Sequence, residues 1–156
     1  MTAIPENIGQ FYLGTEILPD AGTPVLYDAA DLTTHAVIIG MTGSGKTGLG
    51  ITLLEEAALD GIPVIAIDPK GDLGNLALNF PARRAADFAP YADAASLAQS
   101  GQTADAWAAA TAQKWGEGID ASQQSAARQE ALAAANPVHI YTPGGEHGLP
   151  LSLLAH

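Results

Sequence analysis

The run Gly40-Met41-Thr42-Gly43-Ser44-Gly45-Lys46-Thr47 limits what this chain can fold into more than any other segment. It is a complete match to the glycine-rich loop that joins a strand to a helix around bound phosphates. Glycines let successive backbone N–H groups turn inward around phosphate oxygens, a lysine at the helix start reaches the β/γ bridge, and the next hydroxyl serves Mg²⁺. The candidate phosphate-binding residues are therefore Thr42, Gly43, Ser44, Gly45, Lys46, Thr47 and Gly48. A helix starting near Lys46 adds unpaired N–H groups and a positive dipole end, both favourable to anions.

The flanking residues supply the context this loop requires. His35-Ala36-Val37-Ile38-Ile39 is a short apolar, β-branched run, the pattern of a strand buried on both faces. After the loop, Leu49, Leu53 and Ala57 recur at helical spacing, with Leu54 and Ala58 on the adjoining row, and Gly61 supplies a stop. A second apolar run, Ile62 to Ile67, ends in Asp68-Pro69-Lys70-Gly71-Asp72. Strand, helix and strand make a right-handed βαβ unit with parallel strands. Both strands then end at one sheet edge, which brings Asp68 beside the loop, where open α/β sheets bind ligands.

The expected fold class is α/β, a P-loop NTPase with a partial parallel core of about three strands, the third being Val138-His139-Ile140-Tyr141. Residues 1–30 form a β lead-in whose runs Phe11-Tyr12-Leu13 and Pro24 to Tyr27 are separated by Pro19, Asp20 and Gly22. The nucleotide domain covers 31–156, with an alanine-rich helical insertion over about 81–136. In the insertion Thr103 caps a helix through Lys114 that carries Trp107 and Trp115 on one core-facing side, and Asp120 or Ser122 caps the next. An apolar tail runs from Leu149 to Leu154, and three strands are few for such a sheet, so the expectation is a domain truncated at its C-terminus.

Composition removes several classes of function. There is no cysteine, so disulfides and cysteine-based zinc sites are excluded. The formal net charge is −11 and only Arg83-Arg84 are adjacent basic residues, so the chain lacks the basic stripe of a self-sufficient nucleic-acid binder. No apolar run reaches the roughly 20 residues of a membrane span, which makes the expected location cytoplasmic. His35, His139 and His147 have no metal-ligand spacing, and Glu55-Glu56 and Glu130 read as solvated helix faces.

In chemical terms, Lys46 stabilises charge on a transferred phosphoryl group and Thr47 holds Mg²⁺. Asp68 is the carboxylate for the metal's water shell or the attacking water, with a turn-forming role as the competing reading. Asp72 divides between a capping and a site role, and Lys70 reads as a solvated turn residue.

The stretch from Thr33 to Thr47, with its Thr-Gly-Ser-Gly-Lys-Thr loop, and Ile67-Asp68-Pro69-Lys70-Gly71-Asp72 resemble the HerA-like ATPases of the HerA/FtsK branch. Tyr141-Thr142-Pro143-Gly144 resembles their third-strand ending. The resemblance implies an ATP- and Mg²⁺-dependent homo-hexameric motor that acts on double-stranded DNA through the assembly, with no membrane partner. It places Lys46 and Thr47 at the phosphate and metal positions and Asp68 at the acidic position used in hydrolysis. Such motors also use a later Asp-Glu strand and an arginine from a neighbouring subunit; no apolar run here is followed by Asp-Glu, and Arg83, Arg84 and Arg128 lie in the insertion. The chain is therefore expected to bind ATP as the N-terminal part of a helicase or translocase. The alternatives are a nucleotide-binding module without hydrolysis and a P-loop kinase with the insertion as a lid. A GTPase is disfavoured, because no Asn/Thr-Lys-x-Asp base-reading motif is present.

Overall fold

The computed structural model describes residues 7–18, 22–145 and 147–152; Pro19, Asp20 and the tail residues Leu153 and Leu154 lie outside them. The two N-terminal β-type runs pair. Strand β1 (Gln10–Thr15) and β2 (Pro24–Asp28) form an antiparallel hairpin with Phe11 opposite Tyr27 and Tyr12 opposite Leu26. A register shift between Tyr12 and Gly14 bends the first strand. Phe11 and Tyr12, which point to opposite faces, are both buried, and β1 packs on the helix that follows the glycine loop.

That helix, α1, spans Lys46–Leu59. Its end follows from Gly61, which adopts φ +69° and donates to Ala58 O at 3.0 Å, while Ile62 N–H reaches Ala57 O at 2.8 Å. These two bonds satisfy carbonyls that a helix end leaves open, as in a left-handed glycine stop.

The insertion is helical as the sequence predicts, with different boundaries. Short α2 (Ala85–Phe88) and α3 (Ala94–Ser100) precede α4 (Ala104–Ala121), whose cap Thr103 accepts from Ala106 N–H at 3.3 Å. Helix α4 continues well past Lys114, through Gly116 and Gly118 to its C-cap Ser122. The next helix, α5 (Ala126–Ala135), is capped by Ser125, which accepts from Arg128 N–H at 3.1 Å. Neither expected cap serves there: Asp120 pairs with Arg83 and Ser122 closes α4. The local core gathers Phe88, Ala108 and Ala112, with Phe80 and Trp107 packed against them. Phe80 and Phe88 meet edge to face at 4.9 Å, and Trp115 joins both rings while staying 37% exposed. Alanine on the facing turns lets the rings approach closely, and aromatics supply the bulk that alanine lacks.

The expected three-stranded parallel core is not seen among the described residues. Among the described residues the one sheet is the antiparallel β1–β2 pair, and residues 35–40 and 62–68 carry no ladder. The third run contributes an isolated parallel bridge between Tyr141 and Leu149. The physical reason lies in the neighbours. A strand apolar on both faces needs pairing on its edges and cover on its faces, yet Val37, Ile39, Ile65 and Ile67 are 79%, 88%, 94% and 88% exposed. Nothing among the described residues covers them.

Candidate nucleotide site

The glycine loop closes on itself through short contacts. Ser44 N–H donates to Met41 O at 3.1 Å, and Gly43 and Gly45 hold φ of +79° and +88°, a backbone region that costs other L-residues energy. A Cβ at Gly40 would stand 2.4 Å from Ser44 Oγ and 3.4 Å from Lys46 Cγ, so a side chain there would push Ser44 from its rotamer. Lys46 folds back over the loop, its Nζ donating to Met41 O at 2.6 Å. Thr42, Thr47 and Gly48 are exposed at the mouth of the loop and the first turn of α1. With Gly45 as N-cap and no side-chain cap bond, the first amides of α1 remain open to an anion. A glycine loop that leads into the open first amides of a helix, with one ammonium held against it, fits a triphosphate, and an exposed threonine hydroxyl beside it fits a Mg²⁺ ligand.

Asp68 organises its own turn. Its Oδ1 accepts from Gly71 N–H at 2.9 Å and its Oδ2 from Leu73 N–H at 2.8 Å. These amides, Leu73 first, hold its pKa below the usual carboxylate value, so it is ionised at neutral pH. No hydrogen bond or ion pair joins Asp68 to the glycine loop among the described residues; without the parallel ladder, the shared sheet edge is not there to align them. Asp72 precedes the turn of 3₁₀ helix Leu73–Ala77 but makes no side-chain cap; its carboxylate pairs with Lys70 instead.

Each arginine is committed within the chain. Arg83 Nη1 donates to Asp120 Oδ1 at 2.7 Å and its Nε to Gln129 Oε1 at 3.1 Å, and Arg84 pairs with Asp87 at 2.8 Å. Arg128 forms a buried ion pair with Glu56, both residues 7% exposed. Glu56 Oε2 also accepts from Tyr12 N–H at 2.9 Å, and Asp60 Oδ2 from Gly9 N–H at 2.7 Å. Glu56 of α1 and its C-cap Asp60 thus tie β1 and the residue before it to the helix that leaves the glycine loop.

The solvated-face reading of Glu56 is corrected by this ion pair. The signal lay in helical spacing: residues 49, 53, 56, 57 and 60 share one stripe, so Glu56 sits among the apolar positions. Glu55 is half-buried as well, and burial together with Glu56 raises its pKa.

The family model described as "Helicase HerA, central domain" matches residues 8–142, most of the chain. No curated protein and no solved structure matches it.

Proposed function

The chain belongs to the HerA helicase central-domain family, and on that premise we propose that residues 42–48 bind Mg²⁺-ATP for a motor that acts on double-stranded DNA. Membership carries the P-loop NTPase fold and the character of an ATP-binding, helicase-like ATPase. The observation that supports the site most directly is the loop itself: a Cβ at Gly40 would crowd the Ser44 side chain, and the Lys46 ammonium is held against the loop at Met41 O. Incoming phosphate oxygens replace Met41 O as acceptors for Lys46, and the open amides at the start of α1 take the remaining charge.

In this reading Thr47 supplies a hydroxyl to Mg²⁺ and Asp68 a carboxylate to its water shell. The bound ion would neutralise charge on the β- and γ-phosphates. Lys46 steadies the charge that develops on the transferred group. Asp68 enters ionised and prealigned by the amides of its turn, those of Gly71 and Leu73 among them. The exposed apolar runs at 35–39, 62–67 and 138–141 are proposed as the parallel strands of the family sheet; their β-branched, two-faced apolarity supports this. A homo-hexamer, a cytoplasmic location and DNA contact through the assembly belong to the same proposal. No helix among the described residues is long and apolar enough to cross a membrane.

A kinase lid would need insertion arginines turned to the phosphates, whereas Arg83, Arg84 and Arg128 each pair with a carboxylate of this chain. Calorimetry with ATP and Mg²⁺ tests the reading. Wild-type protein should bind and Lys46→Ala should not; equal affinity in the two would refute the site. DNA-stimulated ATP hydrolysis then separates a motor from a module that only binds nucleotide.

A further inference from the structure

A concavity lies away from the glycine loop, beside the Glu56–Tyr12 contact of the hairpin. It has a volume of about 350 Å³ and is walled by β1, α1, α4 and α5, with Leu59, Leu132 and Trp115 among its lining residues. That volume is in the range of small-ligand pockets. Two carboxylates, Glu55 and Glu56, and one guanidinium, Arg128, line it. Glu56 and Arg128 neutralise each other. Glu55 is left facing the cavity with no hydrogen bond or ion pair among the described residues.

A half-buried carboxylate without a partner destabilises the fold that carries it, and such placements concentrate at binding sites. Among the chain's own cations Arg128 attracts it only in part, outweighed by burial and by the neighbouring Glu56. The three arginines are committed to Asp120, Asp87 and Glu56, Lys70 to Asp72 and Lys46 to Met41 O, and Lys114 is not among the lining residues. A metal ion is a poor fit, because no group of three or more His, Cys, Asp or Glu gathers among the described residues. Polar side chains such as Thr52, Asn79 and Gln124 share the lining with an apolar wall of Leu59, Ile119, Leu132 and Trp115. A net negative charge beside that wall suits an organic cation whose stem lies on it and whose charge can use the indole face.

We propose that this cavity is a receptor site for a single alkylguanidinium or alkylammonium group, with Glu55 as its counter-ion and Trp115 as its wall. The proposal stands apart from nucleotide binding, since Glu55 lies about 13 Å along α1 from Lys46 at 1.5 Å per residue.

The probes are agmatine, a free cation, and N-acetyl-arginine methylamide, which presents an arginine side chain as a polypeptide would. Both are titrated into the full chain, with calorimetry and the NMR signal of the Trp115 indole as readouts. The expected result is saturable binding that shifts the Trp115 signal and weakens roughly ten- to a hundredfold in Glu55→Gln, the effect of a lost charge-assisted hydrogen bond. Urea unfolding of Glu55→Gln verifies that the variant is folded. Binding of agmatine alone assigns a free cation, and binding of the capped arginine as well assigns a side chain of a partner. No binding of either probe by about 50 mM, weaker than a single charged contact gives, would overturn the proposal, as would equal affinity in Glu55→Gln.

Discussion

Replacing Arg128 by methionine removes one half of the buried pair that ties α5 to α1 and leaves Glu56 charged in place. Both partners are 7% exposed, so water cannot take over the lost contact. Breaking a buried pair from one side costs about 3–5 kcal/mol, chiefly the desolvation of the stranded charge. Glu56 keeps one donor, the Tyr12 N–H at 2.9 Å, which places the expected loss near the lower end, about 3 kcal/mol. For a chain of this length that corresponds to a fall in Tm of roughly 6–12 °C. Urea unfolding followed by far-UV circular dichroism gives the free energy directly. The decisive arm is the double variant Glu56→Gln/Arg128→Met. Glutamine removes the stranded charge and can still accept from Tyr12 N–H, so the second substitution should recover a large part of what the first lost. A cost for Arg128→Met below about 1 kcal/mol, the level of a surface pair, would refute the reasoning. So would a double variant at the sum of the two singles.

Glu55 should titrate in the opposite sense to a stabilising carboxylate. Its folded pKa is raised by burial and by Glu56, so stability is greatest below the ordinary value of 4.5 and declines as pH rises through the raised folded value. Glu55→Gln should therefore raise Tm at pH 7 and leave it nearly unchanged at low pH; a lower Tm at pH 7 would contradict this. For Asp68 the sign reverses. Its folded pKa is depressed by the turn amides, so its contribution is present above 3.8 and is lost as pH falls through the folded value. Asp68→Asn should leave Mg²⁺-ATP affinity within a fewfold and depress turnover by at least about tenfold, the scale of a lost catalytic carboxylate; steady-state hydrolysis measured alongside calorimetry checks both halves. At the loop, Gly40→Ala should force Ser44 from its rotamer and weaken nucleotide binding by up to about tenfold, whereas unaltered affinity would show that the close approach does not shape the cradle.

The local rules written into the chain account for much of what is observed. The loop at 40–48, the Gly61 stop, the Thr103 cap and the pairing of the Phe11 and Pro24 runs all depend on contacts within a few residues, or on one hairpin, and these were legible from residue type and spacing. Helix ends in the insertion were not, because alanine favours helix at nearly every position and lets caps compete: Ser125 prevailed over Asp120 once Arg83 claimed that carboxylate. The tertiary structure decided what the inward carboxylates meet. Glu55 and Glu56 are identical and adjacent in sequence and line the same cavity, yet one is bound by Arg128 and Tyr12 while the other makes no such bond among the described residues. It also decided the fate of the apolar runs. Their sequence specifies strands apolar on both faces, but a strand's hydrogen bonds and its cover come from neighbours, and no run of residues carries its neighbours within itself.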